Sequence, residues 1–409
     1  MHRVRTSLPY FNEFGWDVEV VTVDPRYTDI DEDQLLCKTV PENIPVHYVK
    51  AFNKSWTKIV GLGSLALRSM WFYNQKVKSL LRSGKFDLIY FSTTQFPVCI
   101  LGASWKRKYN IPFVIDFQDP WYSDYYQNKP KSEQPSKYWF SYRLNKFLEP
   151  IALRGVGGLI SVSPVYIDNL KSRYPELASI PAATIPFGYF APDFEVAKAL
   201  PENAGNILKP GSRSLVYVGR GGADMHRSLS VIFNALANYF ANNGSQFPIR
   251  VYFIGTSYAP KGLGEPTILP LARQYGLEEY VTEITDRMPY YQTLNLLKRA
   301  DALLIPGSDD PAYNASKILP YILSEKPVLA VMHPESPGRT ILKDFALAFN
   351  CTNENTINNK EKIKNFFDLL AKGELLPPEY PAPVIQKYSA RTSVNRQCEI
   401  FESVINAGC

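Results

Sequence analysis

Short apolar runs rich in β-branched residues alternate with longer segments of helical periodicity along most of the chain. Runs of this length and composition are typical of strands buried on both faces of a parallel sheet. Their alternation with helical segments predicts βαβ units whose helices cover the sheet. The predicted strands form two series: Val18–Val23, Val46–Val49, Phe86–Phe91, Ile111–Asp116 and Gly158–Val162, then Leu215–Val218, Arg250–Ile254, Val281–Ile284, Ala302–Ile305 and Val328–Val331.

A stretch rich in proline and glycine, 195–214, separates the two series and predicts a linker. A length of 409 residues also suits two domains rather than one. We therefore predict an α/β protein with two Rossmann-like domains, 1–195 and 196–384, that face a cleft. The carboxyl ends of the strands are the ligand-binding edge of such sheets. A last helix is predicted near 388–405, and it need not belong to the second domain.

Composition narrows the class of protein. The chain lacks an apolar run of 18 or more residues, and its first ten residues lack the apolar core of a signal peptide. The net charge of +6 shows no basic stripe of the kind that binds nucleic acid, but it suits a protein that binds phosphates or an anionic membrane. Scattered cysteines and histidines predict no metal site, no disulfide framework and a cytoplasmic location.

The first candidate site is a glycine-rich turn between a predicted strand and helix. Its residues are Gly219, Arg220, Gly221 and Gly222, with His226 and Arg227 at the start of the helix. Glycines allow backbone N–H groups to approach a phosphate, and Arg220 offers a two-point donor. The alternative is a tight turn with solvated basic residues, which is common in any Rossmann-like sheet.

The second candidate site follows the predicted strand 302–305. Ser316 and Lys317 stand at the start of a helix, where free N–H groups and the helix dipole attract a diphosphate. Asp309 and Asp310, just ahead, could accept hydrogen bonds from sugar hydroxyls, and Tyr313 lies in the same loop. The alternative is an ordinary capped helix with an exposed lysine.

The third candidate site follows the predicted strand 111–116. Asp119 could orient or deprotonate an acceptor hydroxyl, and Trp121 could stack on a sugar ring. A structural aspartate beside a half-buried tryptophan explains the same residues. Two segments, 54–82 and 137–146, mix basic and aromatic residues and suit either an anionic membrane surface or ordinary amphipathic packing.

These motifs, in this order, make the chain similar to bacterial glycosyltransferases of the family 4 type, which have the GT-B fold. The resemblance runs through His2–Arg5, Phe14–Thr22, Asp116–Trp121, Ile185–Phe194, Val216–Gly222, Ala300–Pro306, Ser316–Tyr321 and Lys326–Ala330. It implies a nucleotide-diphosphate sugar as co-substrate, retention at the anomeric carbon, and no essential metal or other cofactor. It also implies that Arg220, Ser316 and Lys317 contact the donor, that His226 and Arg227 lie near the family's lysine, and that the tail 385–409 crosses back to the first domain.

Two features depart from that family. The glutamate that holds the donor ribose in the family is replaced by Pro320, and its partner acid by Ala312, which leaves Asp309 or Asp310 as substitutes. The family also has a first strand and glycine loop ahead of the His2–Arg5 region. Loss of a strand would expose a sheet edge, so we expect an incomplete amino terminus.

The sequence thus predicts a glycosyltransferase whose donor binds the second domain and whose acceptor, a glycan or lipid-linked precursor, enters near Arg3, Arg5, Asp119 and Trp121. A peripheral contact with the inner face of the membrane fits this acceptor class. One alternative is an inactive sugar-nucleotide-binding or scaffold protein of the same fold. The other is an epimerase or isomerase, which is disfavoured because the histidines form no acid–base cluster.

Overall fold

The computed structural model describes residues 2–28, 33–57, 63–127, 129–131, 134, 137–201, 207–244, 249–313 and 318–408. The chain divides into two compact units. Unit 1 comprises Met1–Gly188 and Tyr388–Cys409, and unit 2 comprises Tyr189–Lys387. The division falls a few residues before the predicted boundary at 195, because the helix that begins at Ala191 packs within unit 2. There Asp193 accepts hydrogen bonds of 3.1 Å from the hydroxyls of Tyr290 and Tyr291.

Unit 1 holds six described strands, all in parallel pairs. They are β1 Val20–Val23, β2 Val46–Val49, β3 Ile89–Ser92, β4 Phe113–Phe117, β5 Gly158–Ser161 and β6 Ala182–Thr184. The helices of its first segment are α1 His2–Ser7, α2 Gln34–Cys37, α3 Lys54–Thr57, α4 Leu65–Leu81, α5 Leu101–Tyr109, α6 Tyr138–Leu153 and α7 Pro164–Arg173.

These strands form a pair, β1-β2, and a four-stranded sheet in the order β3-β4-β5-β6. Two apolar clusters contact both β1 and the four-stranded sheet. Val21 of β1 packs into the cluster that contains Phe91 of β3, and Val20 packs into the cluster that contains Tyr90. Alternate residues of a strand point to opposite faces, so β1 and the four-stranded sheet share two layers of core.

Unit 2 has a six-stranded parallel sheet in the order β12-β11-β10-β7-β8-β9. Its strands are β7 Arg213–Val218, β8 Ile249–Ile254, β9 Val281–Ile284, β10 Ala302–Pro306, β11 Val328–Met332 and β12 Phe349–Thr352. Its helices are α8 Ala191–Lys198, α9 His226–Asn243, α10 Leu269–Gln274, α11 Tyr290–Arg299, α12 Ile318–Ile322, α13 Gly338–Asp344, α14 Ile357–Lys372 and α15 Ala382–Lys387. The direction of strand addition reverses where β10 returns to lie beside β7. Ligands bind parallel α/β sheets at this kind of switch point.

The last helix, α16 Ala390–Gly408, belongs to unit 1. Val394, Cys398, Phe401 and Val404 recur at helical spacing and are all buried in the cluster that also contains Val114 of β4 and Ile160 of β5. This tail therefore supplies one side of the unit 1 core.

None of the described helices combines the length and the apolar character needed to cross a lipid bilayer.

Candidate functional site

The switch point of unit 2 gathers residues from both of its central strands. Arg220 follows β7, and Ser308, Asp309 and Asp310 follow β10. They meet at Asp224, whose carboxylate accepts two hydrogen bonds from Arg220, of 2.9 and 2.6 Å, and one of 2.6 Å from the Ser308 hydroxyl. The Asp309 amide donates to the Asp224 carbonyl at 2.7 Å. One aspartate thus ties the two predicted donor-site segments together.

Electrostatics favour the charged state of this pair. Burial opposes the charge on Arg220, but its hydrogen bonds with Asp224 outweigh that cost and raise the pKa of the guanidinium. Burial likewise raises the pKa of Asp224, yet the Arg220 hydrogen bonds leave it below the ordinary value. Burial raises the pKa of Asp310. The site therefore holds a fixed ion pair beside a carboxylate that is easier to protonate than usual.

Tyrosines complete the surroundings of Arg220. The Tyr313 ring lies under its guanidinium at 4.9 Å, a cation–π distance, and the Tyr217 hydroxyl donates to the Arg220 carbonyl at 2.9 Å. Tyr321 of α12 is buried, and its hydroxyl accepts from the Val218 amide at 2.7 Å. These contacts fix the backbone and side chain of Arg220 at the end of β7.

The glycine turn is shaped by close packing. A Cβ at Gly219 would lie 2.3 Å from the Tyr217 hydroxyl oxygen, and a Cβ at Gly221 would lie 2.6 Å from Oγ1 of Thr267. Gly222 adopts φ +153°, a conformation that favours glycine. The amides of Gly219 and Gly221 donate to the carbonyls of Ile254 and Thr256 at 2.9 and 2.8 Å. Two of the amides expected to face a phosphate are therefore already bonded to the end of β8 and the segment that follows it.

The remaining predicted donor residues lie differently. His226 starts α9 and its Nε2 lies 2.9 Å from the Thr267 carbonyl, so the ring is held by the neighbouring loop. Arg227 is exposed. Ser316 and Lys317 lie outside the described residues, so their contact with a diphosphate stays a prediction. Pro320 is inside the short helix α12.

Asp224 is a residue that sequence reasoning missed. It stands four positions after Arg220, in the 3-10 turn Ala223–Met225 that leads into α9. The i, i+4 spacing of opposite charges was a usable signal. Its bond to Ser308, 84 positions away, was not, because that contact depends on the pairing of β10 with β7.

In unit 1 the buried polar centre is Asp116, at the end of β4. Its Oδ2 lies 2.8 Å from Nε of Arg3 and accepts hydrogen bonds from the Ser92 hydroxyl at 2.9 Å and the Gln118 amide at 3.1 Å. Arg3 also donates to the Ile185 carbonyl. Arg5, likewise buried, donates to the Thr39 hydroxyl at 2.7 Å. The predicted acceptor role of Arg3 and Arg5 is disfavoured, because both side chains are buried and bonded to other residues of unit 1.

Asp119 and Trp121 separate in the structure. Asp119 is exposed, although surrounding protein atoms raise its pKa, and its role as an acceptor-side acid stays a prediction. Trp121 is only 4% exposed, stacks on Phe96 at 5.4 Å and donates from Nε1 to Asn145 at 3.1 Å. Stacking of Trp121 on a sugar ring is therefore disfavoured in this arrangement.

Trp121 does line a cavity of about 610 Å³ within unit 1. Its walls are mainly apolar and come from the start of α4, the segment 94–97 and the first half of α6. The lining residues are Gly63, Ser64, Ala66, Leu67, Thr94, Gln95, Phe96, Pro97, Trp121, Lys137, Phe140, Ser141, Leu144 and Asn145. Short sequence motifs could not have placed these residues together, because the fold collects them from segments far apart in the chain.

Comparison with solved structures identifies the fold. Solved structures similar over nearly the whole chain include the sucrose-phosphate synthase of Thermosynechococcus elongatus (TM-score 0.62, 14% identity, 99% of this chain and 93% of that one). HepE of Anabaena, solved with UDP and glucose, has a TM-score of 0.55 and 14% identity, and the match covers 98% of this chain and 95% of that one. WaaG, a glycosyltransferase involved in lipopolysaccharide biosynthesis, has a TM-score of 0.51 and 15% identity, and the match covers 100% of this chain and 94% of that one. The fold is that of the GT-B glycosyltransferases.

A family model matches the sequence of unit 1. Residues 3–187 match the model of the glycosyl transferase 4-like domain. This match lies within unit 1 and agrees with the family 4 resemblance of its motifs. No curated protein sequence matches the chain.

Proposed function

We propose that the protein transfers a sugar from a nucleotide-diphosphate donor to a glycan or lipid-linked acceptor, with retention and without a metal ion. The observation that carries this proposal is the cluster of Arg220, Asp224, Ser308 and Asp310 at the switch point of the unit 2 sheet. A guanidinium fixed at that edge is suited to a diphosphate.

In this proposal Arg220 stabilises negative charge on the departing nucleoside diphosphate as the glycosidic bond breaks. A guanidinium that is already fixed in place needs little reorganisation during the reaction. Electrostatic stabilisation of this kind commonly supplies most of an enzyme's rate acceleration. Asp224 holds Arg220 in one orientation, so the diphosphate would share the guanidinium with that carboxylate. Lys317 is proposed to add a second positive charge, and Asp309 or Asp310 to bind donor hydroxyls in place of the glutamate replaced by Pro320.

The acceptor is proposed to bind unit 1, where Asp119 is the exposed acid that follows β4. The match of residues 3–187 to the glycosyl transferase 4-like domain supports the placement of the acceptor on unit 1.

Bacterial nucleotide sugars are metabolites of the cytoplasm, so the proposed location is the cytoplasm or the inner face of the membrane.

The test is ligand-dependent thermal stability of the full chain against nucleoside diphosphates and nucleotide sugars, since a ligand bound to the folded state raises the melting temperature. We expect one nucleotide to stabilise the wild type and not Arg220→Ala, while the exposed Arg273→Ala of α10 behaves as wild type. Stabilisation that survives Arg220→Ala would remove the switch point from the donor site.

One observation favours a second function, an inactive sugar-nucleotide-binding protein. The Gly219 and Gly221 amides are occupied, and Pro320 replaces the ribose-binding acid of the resembling family. Incubation of the protein with the stabilising nucleotide sugar and candidate acceptors separates the two. Binding without release of nucleoside diphosphate across the acceptor panel would favour the inactive protein.

A further inference from the structure

Helix α6 of unit 1 presents an unusual exposed face. Trp139 is 64% exposed, Phe140 47% and Phe147 67%. Positions 139, 140, 143, 146 and 147 recur at helical spacing, so their side chains occupy one side of the helix. Three large aromatics on one exposed face form an apolar patch of the kind that marks an interaction surface.

The same face carries positive charge. Arg143 lies over the Trp139 ring at 4.6 Å, Lys146 is exposed one turn further on, and the exposed Lys137 precedes the helix. The one acidic residue within the sequence of α6 is Glu149, which is buried and paired with Arg173 at 2.9 Å. We call Lys137, Trp139, Phe140, Arg143, Lys146 and Phe147 the α6 face.

The α6 face borders the apolar cavity of unit 1. Phe140 belongs to both, and Leu144, one turn on, lines the cavity wall. Leu67 of α4 also lines the cavity, and Trp71, one turn after it, is more than half exposed. Phe52 packs beside Trp71 at 6.4 Å and is also exposed. Exposed aromatics therefore accompany both of the helices that line the cavity.

We propose that the α6 face docks unit 1 on an anionic lipid bilayer, with the cavity receiving a hydrocarbon chain of a lipid from that bilayer. Helices that lie in the membrane interface combine tryptophan and phenylalanine with lysine and arginine. The basic residues complement anionic headgroups, which a neutral sugar acceptor would not need. A largely apolar volume of about 610 Å³ is in the range of small-molecule sites.

This inference rests on the proposed function where it makes the bound lipid the sugar acceptor. Docking itself does not depend on the donor site. Unit 1 would hold a lipid-linked acceptor with its chain in the cavity and its polar head toward the exposed Asp119, two residues before the cavity-lining Trp121.

The experiment is co-sedimentation of the full chain with vesicles of phosphatidylcholine alone or of equal parts phosphatidylcholine and phosphatidylglycerol. We expect binding to the anionic vesicles that weakens as salt is added. Replacing both cations, Arg143→Gln with Lys146→Gln, should weaken it about tenfold, because each basic residue near an anionic surface contributes to the affinity. The paired control, Lys360→Gln with Lys362→Gln, alters two exposed lysines of α14 in unit 2 and should bind as wild type.

A second pair tests the aromatics. Trp139→Ser with Phe147→Ser should abolish binding at unchanged melting temperature, whereas Tyr258→Ser, a comparably exposed aromatic of unit 2, should have no effect. Vesicles with brominated acyl chains should quench the tryptophan fluorescence of the wild type, and Trp139→Phe should retain binding with less quenching.

Three outcomes would overturn the proposal: no binding to anionic vesicles, binding that the α6 variants leave unchanged, or self-association of the chain through the α6 face in sedimentation. The donor test is independent. If vesicle binding holds while every nucleotide fails to stabilise the protein, the proposed transferase activity fails and the membrane surface stands.

Discussion

Arg220 and Asp224 form a two-point ion pair, with Nη1 to Oδ1 at 2.9 Å and Nη2 to Oδ2 at 2.6 Å. Both side chains are partly buried at the switch point of the unit 2 sheet. The pair fixes the guanidinium in one orientation, and the pair as a whole carries little net charge. It can therefore orient a bound anion more than it can attract one over a distance.

Asp224→Asn is expected to lower the free energy of unfolding by about 2 kcal/mol, because a partly buried guanidinium loses its counter-charge. Since the folded state lowers the pKa of Asp224, its contribution is present at neutral pH and disappears as pH falls through that lowered pKa. Denaturant titration at neutral and acid pH measures both effects. Glu195→Gln breaks the exposed Lys198 pair and should cost less than about 0.5 kcal/mol. Equal losses for the two variants would contradict the argument.

Gly307→Ala should disturb the same site from the β10 side. A Cβ there would lie 2.7 Å from Cα of Met332, which is backbone and cannot rotate away. We expect a loss of about 2 kcal/mol in stability and weaker nucleotide binding, since Ser308 would shift from Asp224. Gly63→Ala, whose Cβ would meet no atom of the described residues within 4 Å, is the matched control for both readouts. A stable Gly307→Ala protein with normal affinity would show that this crowding is relieved at little cost.

Glu283 holds the loop that packs against the glycine turn. Its carboxylate accepts from the Thr256 hydroxyl at 2.7 Å and from the amides of Thr267, Ile268 and Leu269 at 3.1, 2.9 and 2.7 Å. Glu283→Ala should cost about 3 kcal/mol and speed hydrogen exchange at those three amides. Glu279→Gln changes an exposed acid before β9 and should leave exchange unchanged. Unaltered protection in Glu283→Ala would mean that the loop is held by other contacts.

Glu149 should make unit 1 sensitive to pH. Burial raises its pKa from 4.5 to about 7, and Arg173 offsets this only in part. Because the folded state binds the proton more tightly, the stabilising contribution is complete below pH 4.5 and is lost as pH rises through 7. Across that window the wild type should lose about 3 kcal/mol relative to Glu149→Gln, measured by denaturant titration of both proteins. Parallel stability curves would show that folding does not raise the pKa of Glu149.

The sequence was sufficient where local pattern decides structure. The ten predicted strands all correspond to observed ones, and Val46–Val49 and Val281–Ile284 match to the residue. The strands β6 and β12 were missed because Ala182–Thr184 and Phe349–Thr352 lack an apolar run of branched residues. They pair at the outer edges of their sheets, where burial is less complete.

The candidate site was harder to predict because its contacts join distant segments. The sequence identified Arg220, Asp309 and Asp310, but not Asp224, which connects them. It also suggested that Trp121 and Arg3 face a ligand, whereas both side chains are buried among partners remote in sequence. A motif indicates which residues carry chemistry, but burial decides which of them reach a ligand.

The tail helix α16 has a consequence for biosynthesis. During synthesis the chain emerges from the ribosome with its amino terminus first. All of unit 2 therefore emerges before Val394, Phe401 and Val404, which complete the unit 1 core. Unit 2 can therefore fold while unit 1 still waits with one side of its sheet uncovered. Late truncations of the message would leave a finished unit 2 attached to an aggregation-prone unit 1, a pattern that limited proteolysis of nascent chains would reveal.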